Sequence, residues 1–290
     1  MSSPAFSVAI ALVLTNVFAL ERIAGASPNA VHADPFYVRN LDAGGIPVLA
    51  SARAPEEALA VARSIVDGML VARPDIRREL IREGFRVAVM APDEQTLDLP
   101  EQRDWKKPGR DDPRLTRCER KHYDERIGSW TDRQYWNWRA RGMGGLLTSA
   151  ATENLLALPG DRYHGQNMFV HEFAHGILRA AERADPALHA RVKAAYAAAM
   201  ANGLWAGEYA STTFEEYWAV GTQFWFNTAR IAIFGDVRVL SDADLRAYDP
   251  VLHALLGEVY RGHRLEGDAF WMHPDRVPPG PLPTFTAEVC

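Results

Sequence analysis

Cysteine is scarce in this chain: Cys118 and Cys290 are the only two in 290 residues. At most one disulfide can form, and an oxidising compartment would permit it. Cys290 is the last residue, behind Pro278-Pro279-Gly280-Pro281, so a free thiol is the equal alternative. An apolar run long enough to cross a bilayer is missing too. Phe6 to Leu20 is apolar apart from Ser7, Thr15 and Asn16, but it stops at Glu21-Arg22, short of the ~20 residues a span needs. It reads instead as a secretory signal over residues 1–33, with small-residue cleavage patterns at Ala24-Gly25-Ala26 and at Val31-His32-Ala33 before Asp34. The expected location is therefore secreted, periplasmic or extracellular, with no stable membrane association after cleavage. The segment ahead of Phe6 carries no Lys or Arg, which leaves an uncleaved N-terminal anchor as the alternative. No Cys stands near the cleavage patterns to carry a lipid. Strong charge is also lacking: the formal net charge of -5 argues against a general polyanion binder. There are no internal repeats. Gly142-Met143-Gly144-Gly145 is too short for a phosphate loop, lacks its Lys, and reads as a turn.

Apolar residues are plentiful, at 48% with eight Trp, enough for a sizeable core. The pattern predicts an α+β fold: a small N-terminal α/β layer and a mostly helical C-terminal half. Residues 34–50 read as extended, ending in the strand-like Ile46–Ala50. Pro55 to Val71 has Ala58, Val61, Ala62, Ile65 and Met69 at helical spacing, Asp75–Arg82 is a second helix, and Phe85–Met90 a strand. Asn154–Leu158 reads as a further strand. Helices follow at 168–183, 186–200 and 214–226, and a last one opens at Asp249-Pro250 and reaches about Tyr260. Residues 34–290 are taken as one domain, with a charged and aromatic excursion at 101–141 and a Pro-rich tail at 274–290.

The excursion holds twelve Lys/Arg and eight Asp/Glu, interleaved with Trp105, Tyr123, Trp130, Tyr135, Trp136 and Trp138. Basic residues among aromatics mark some nucleic-acid surfaces. Acids at this density repel phosphate, so the expectation is a surface excursion with paired charges and docked aromatics, and no nucleic-acid partner.

The most specific feature is His171-Glu172-Phe173-Ala174-His175, an H-E-x-x-H pattern. On a helix, positions i and i+4 share a face. Two imidazoles placed so can reach one Zn²⁺, and the intervening Glu can take a proton from a water at that metal. Met168-Phe169-Val170 leads in and Ile177-Leu178 follows, so the segment reads as a buried helix with Asn167 as its cap. Burying two His and a Glu without a partner is costly, which argues against a merely structural role.

A catalytic zinc usually has three protein ligands and an open position. The pattern H-E-x-x-H-x-x-G-x-x-H is excluded, because Leu178 and Ala181 stand where its Gly and third His belong. His189, Glu208, Glu215 and Glu216 remain as third-ligand candidates, and periodicity does not separate the last two.

The segment Tyr209–Ala219 resembles the third-ligand helix of gluzincins related to the anthrax lethal factor catalytic domain and to Mlc titration factor A. In that group an H-E-F-x-H helix precedes a helix of the form E-[FY]-[FW]-A, whose Glu binds zinc, and a Tyr seven residues before that Glu faces the metal. Glu216-Tyr217-Trp218-Ala219 matches, and Tyr209 stands seven residues before Glu216. The resemblance covers about residues 165–226. It implies a zincin-like fold and one Zn²⁺ per chain held by His171, His175 and Glu216. Glu172 would be the general base and Tyr209 a donor to the oxyanion, in a zinc metallopeptidase acting on peptide or protein substrates. Such helices often carry a second Glu directly after the Ala; Val220 stands there, a change expected to weaken ligand orientation. By analogy with other zincins, Leu155–Leu158 would be an edge strand that aligns an extended peptide. His164, Gln166 and Asn167 would line the cleft or serve as loop and capping residues. A zinc-dependent hydrolase of a non-peptide amide, and a zinc-containing binding module without turnover, are the alternatives. Cys118 is the only candidate for a zinc-blocking thiol ahead of the metal helix.

Overall fold

A computed structural model describes residues 34–279, except 113, 114, 116 and 266. The signal-peptide reading, the end of the Pro-rich tail and Cys290 lie outside the described residues. The chain begins with a hairpin, β1 (Arg39–Ala43) and β2 (Ile46–Ala50), paired antiparallel with Ala43 opposite Ile46. Its two-residue turn is Gly44-Gly45 with φ of 61° and 93°, a conformation suited to Gly in tight hairpins. Helices α1 (Glu56–Leu70) and α2 (Pro74–Arg82) then carry the chain to β3 (Arg86–Met90), which pairs parallel with β2.

Among its described residues the excursion that follows has two short α-helices, α3 (Arg117–Lys121) and α4 (Asp132–Arg139), with a π-helical turn at Asp124–Gly128 between them. Strand β4 (Leu147–Ala151) returns parallel to β3 and closes the sheet, whose order is β1-β2-β3-β4. The edge strand is thus Leu147–Ala151, and the expected strand at Asn154–Leu158 is a correction. Residues Thr152–Leu155 form a one-turn helix, α5, and Ala157 has a left-handed φ of 49°. The reason lies in Asn154. Its side chain donates to Asp161 Oδ2 and the Gln166 carbonyl at 2.7 and 2.9 Å, and accepts from the Met168 N–H at 2.8 Å. These contacts hold a turn in which the Leu156, Ala157 and Leu158 N–H groups donate to the Thr152, Asn154 and Glu153 carbonyls, so the backbone groups are not free for a ladder. β4 escaped notice because its buried positions include Thr148 and Ser149, both 0% exposed, in place of an apolar alternation.

The second half is helical, as expected. α6 (Met168–Ala184) is capped by Asn167, whose Oδ1 accepts from the Val170 N–H at 3.0 Å. Asp185 caps α7 (Pro186–Ala201), with Pro186 in its first turn. Thr213 caps α8 (Phe214–Trp225). A late hairpin, β5 (Ala232–Phe234) and β6 (Val237–Val239), is a strand pair the sequence reading missed. Then come α9 (Asp242–Tyr248) and α10 (Pro250–Tyr260). This is the α+β architecture expected. The main core joins the sheet, α1, α2, α6, α7, α8 and α10. α6 packs so close to the sheet that a Cβ on Gly176 would stand 2.8 Å from the Phe85 ring. That contact offsets the ~1 kcal/mol a mid-helix Gly costs. A second, smaller core lies in the excursion, where Leu97, Leu115, Tyr123, Ile127, Tyr135, Trp136 and Met143 pack together with Trp105 and Trp130.

Candidate metal centre

The 3.6-residue period puts His171, Glu172 and His175 on buried turns of α6, at 2%, 1% and 6% exposure. The Thr213 cap starts α8 so that Glu216, 3% exposed, falls in its first turn and faces α6. Three donor atoms converge. His171 Nε2 is 3.2 Å from His175 Nε2 and 3.0 Å from Glu216 Oε2, and His175 Nε2 is 3.5 Å from that same oxygen. Two ligands at 2.0–2.1 Å from a tetrahedral ion stand about 3.3 Å apart, so the three spacings fit one zinc. Among the described residues, His171, His175 and Glu216 are the one group of three able to hold a metal ion. Glu172 has no side-chain partner among these residues, though the Gly144 backbone N–H favours its charged form, and His175 Nδ1 has no partner at all.

The electrostatics follow from this packing. Burial pushes the Glu172 carboxyl up from its ordinary value, against the two histidines that favour its charged form. Burial also opposes the charge on Glu216, but His175 and His171 outweigh it and hold the carboxyl at about 2. For His171, burial works against the charged ring, and Glu216 more than compensates, raising its pKa. Tyr209 donates to Glu216 Oε1 at 3.0 Å, and burial, aided by the Glu216 charge, holds its hydroxyl protonated.

The other candidates lie apart from this cluster. The His189 ring packs against Phe214, 5.6 Å between centroids, beside Lys193 and Glu215. Glu215 is half-buried in the same first turn as Glu216 but is not one of the three converging donors. Glu208 is half-buried and pushed up by burial to about 7. His164 pairs with Asp275 at 2.6 Å and rests on Phe270. Asn167 is the cap, and the Gln166 carbonyl holds Asn154.

Two features escaped the sequence reading. The Gly142–Gly145 stretch is more than a turn: Met143 and Ser149 exchange two backbone hydrogen bonds of 3.3 and 2.8 Å, which lays it along the edge of β4. A Cβ on Gly144 would stand 3.1 Å from Glu172 Oε2, and one on Gly142 3.2 Å from the Ser149 carbonyl. The repeated Gly was the available signal, since Gly admits a close backbone approach. The second feature is Gln223, two turns beyond Glu216 on α8, whose Oε1 lies 3.1 Å from His171 Nδ1. Val220 packs against the core, and the His171 ring finds its partner at position 223 instead.

No protein-family model matches the chain, and no curated protein does. Among solved structures, the chain is similar to a Pro-Pro endopeptidase, PPEP-2, from Paenibacillus alvei, at 13% identity and a TM-score of 0.43. The match covers 73% of this chain and 96% of that one. A likeness of this size says nothing about activity.

Proposed function

We propose that the chain is a secreted zinc-dependent metallopeptidase of gluzincin type, with one zinc per chain and peptide or protein substrates. The observation that carries this reading is the convergence of His171 Nε2, His175 Nε2 and Glu216 Oε2 beside a buried carboxylate, Glu172, that no side chain of the described residues pairs. When bound, zinc supplies a Lewis acid that lowers the pKa of water toward ~7 and polarises a carbonyl. His171, His175 and Glu216 hold it. Glu172 takes the proton of the attacking water and delivers it to the departing amine. Its burial suits the task, because a carboxyl raised from its ordinary value is the stronger base. Tyr209, kept protonated, donates to the oxyanion that develops on the attacked carbonyl. The apolar segment from Phe6 to Leu20 supports export.

A zinc module without turnover needs no buried base, and a closed structural site takes four protein ligands. Among the described residues no fourth His, Cys, Asp or Glu joins the three. Hydrolysis of a non-peptide amide uses the same groups. The deciding experiment is a peptide-library digest by the wild type and by Glu172→Gln. Cleavage by the wild type, reduced by about 10³-fold in the variant with zinc retained, is the expected result. An equal rate in both removes Glu172 from the mechanism, and an uncut library alongside turnover of another amide reassigns the substrate.

A further inference from the structure

We infer that Gln223 is a positioning residue that determines which nitrogen of His171 carries the proton, leaving Nε2 bare for the metal. The inference rests on the reading of His171 as a ligand. Gln223 is 4% exposed and Asn167 0%. The Gln223 amide has two ends, and each has one partner. Nε2 donates to the Asn167 backbone carbonyl at 2.7 Å, and Oε1 faces His171 Nδ1 at 3.1 Å. Turning the amide over would set Oε1 against that carbonyl, two acceptors at hydrogen-bond distance in a buried place, a costly arrangement. The orientation is therefore determined by the main chain. With Oε1 facing the ring, Nδ1 must donate, which leaves Nε2 to the metal, a cation that would also separate its lone pair from Glu216 Oε2 at 3.0 Å.

The anchor is itself fixed. The Asn167 N–H donates to the Thr228 carbonyl at 3.0 Å, its Oδ1 caps α6, and its Nδ2 donates to Asp268 Oδ1 at 2.8 Å. Asp268 Oδ1 also accepts from the Phe270 N–H at 2.9 Å. The residue that starts the metal helix thus orients the side chain that orients the first ligand on that helix. His175 lacks this support, since its Nδ1 has no partner in the protein. Metal ligands of His type commonly donate their other N–H to a fixed acceptor, and losing it costs about 10- to 100-fold in metal affinity.

The test uses the full chain with ¹⁵N-labelled histidine and chelator-competition zinc titration on wild type, Gln223→Met and Gln223→Glu. The zinc-loaded wild type should show a slowly exchanging Nδ1–H on His171, and Gln223→Met should lose that slow exchange. Gln223→Met should bind zinc about 10- to 100-fold more weakly. Gln223→Glu keeps an acceptor for Nδ1–H and should recover most of the loss. A wild-type His171 in the Nε2–H form overturns the proposal, as does a Gln223→Met variant with wild-type zinc affinity or an equal loss in both variants. The chelator titration reports the ligand reading by itself: a wild type that binds no zinc refutes it, whereas a zinc-bound wild type with a rapidly exchanging Nδ1–H on His171 overturns only the role of Gln223.

Discussion

The two most polar parts of the molecule treat buried charge in opposite ways. In the excursion, Arg139 pairs with Glu119, Arg141 takes Glu153 through two hydrogen bonds of 2.6 and 2.8 Å, and Lys107 is wrapped by the carbonyls of Ile127, Gly128 and Trp130. Around α6, Glu172 is buried with no side-chain partner among the described residues, and Nδ1 of His175 and Oδ2 of Asp268 are buried with none. A buried polar atom without a partner costs free energy comparable to a lost hydrogen bond or more. In the excursion the unpartnered buried atoms are neutral ones, on Gln102, Trp136 and Asn137, whereas around α6 they belong to titratable groups, which fits a helix arranged for something besides stability. The difference separates charges that hold the excursion together from charges held ready for a metal and a proton.

Four substitutions test that contrast. The largest stability effect belongs to the excursion: Glu119→Gln leaves the buried Arg139 guanidinium with a neutral partner and should destabilise by about 3 kcal/mol or more. Denaturant melts read it, and a loss below 1 kcal/mol would show that the ion pair is not structural. Next comes the contact between the regions. Gly144→Ala places a methyl 3.1 Å from Glu172 Oε2, so the carboxylate must give by a few tenths of an ångström, and turnover should fall by less than the ~10²-fold that a ~1 Å misplacement costs, with zinc affinity kept. Zinc loss in parallel with activity would mean that the loop supports the ligands instead of the base.

Asp268 gives a pH signature. Burial raises its folded pKa to about 6 from 3.8, despite the hydrogen bonds from Phe270 and Asn167. The folded state then binds the proton more tightly than the unfolded chain. This group's contribution to stability falls as pH rises from about 4 to about 6 and stays level above. Asp268→Asn removes that fall, so it should help on the order of 2 kcal/mol more at pH 7.5 than at pH 4. Equal effects at both pH values would show an ordinary carboxyl. The smallest effect is expected from Arg133→Ala, whose pair with Asp98 at 2.8 Å is half exposed and should be worth under about 1 kcal/mol.

The same contrast explains what could be read in advance. The metal helix was legible because its requirements are local: two His and a Glu at fixed spacing, and Asn167, Asp185 and Asp249 at the starts of the helices that follow them. Glu216 needed a resemblance, since a helix period does not distinguish it from Glu215. Contacts between distant segments were not legible. Gln223 meets His171 from 52 positions away, and Gly144 meets Glu172 only because the excursion returns along β4. Asn154 looked like strand because its neighbours are apolar, and its three polar partners at Asp161, Gln166 and Met168 exist only after folding. Val220 was expected to weaken ligand orientation; the contact on the His171 ring comes from Gln223, at another turn of the same helix.

The most direct measurement of the central claim is zinc content and affinity of the purified wild type, Glu216→Ala and Glu215→Ala. The predicted result is about one zinc per chain in the wild type and in Glu215→Ala, with Glu216→Ala losing the metal to a chelator that the others resist. A wild type that takes up no zinc even when it is supplied, or a Glu216→Ala variant that holds it as tightly, would contradict the account.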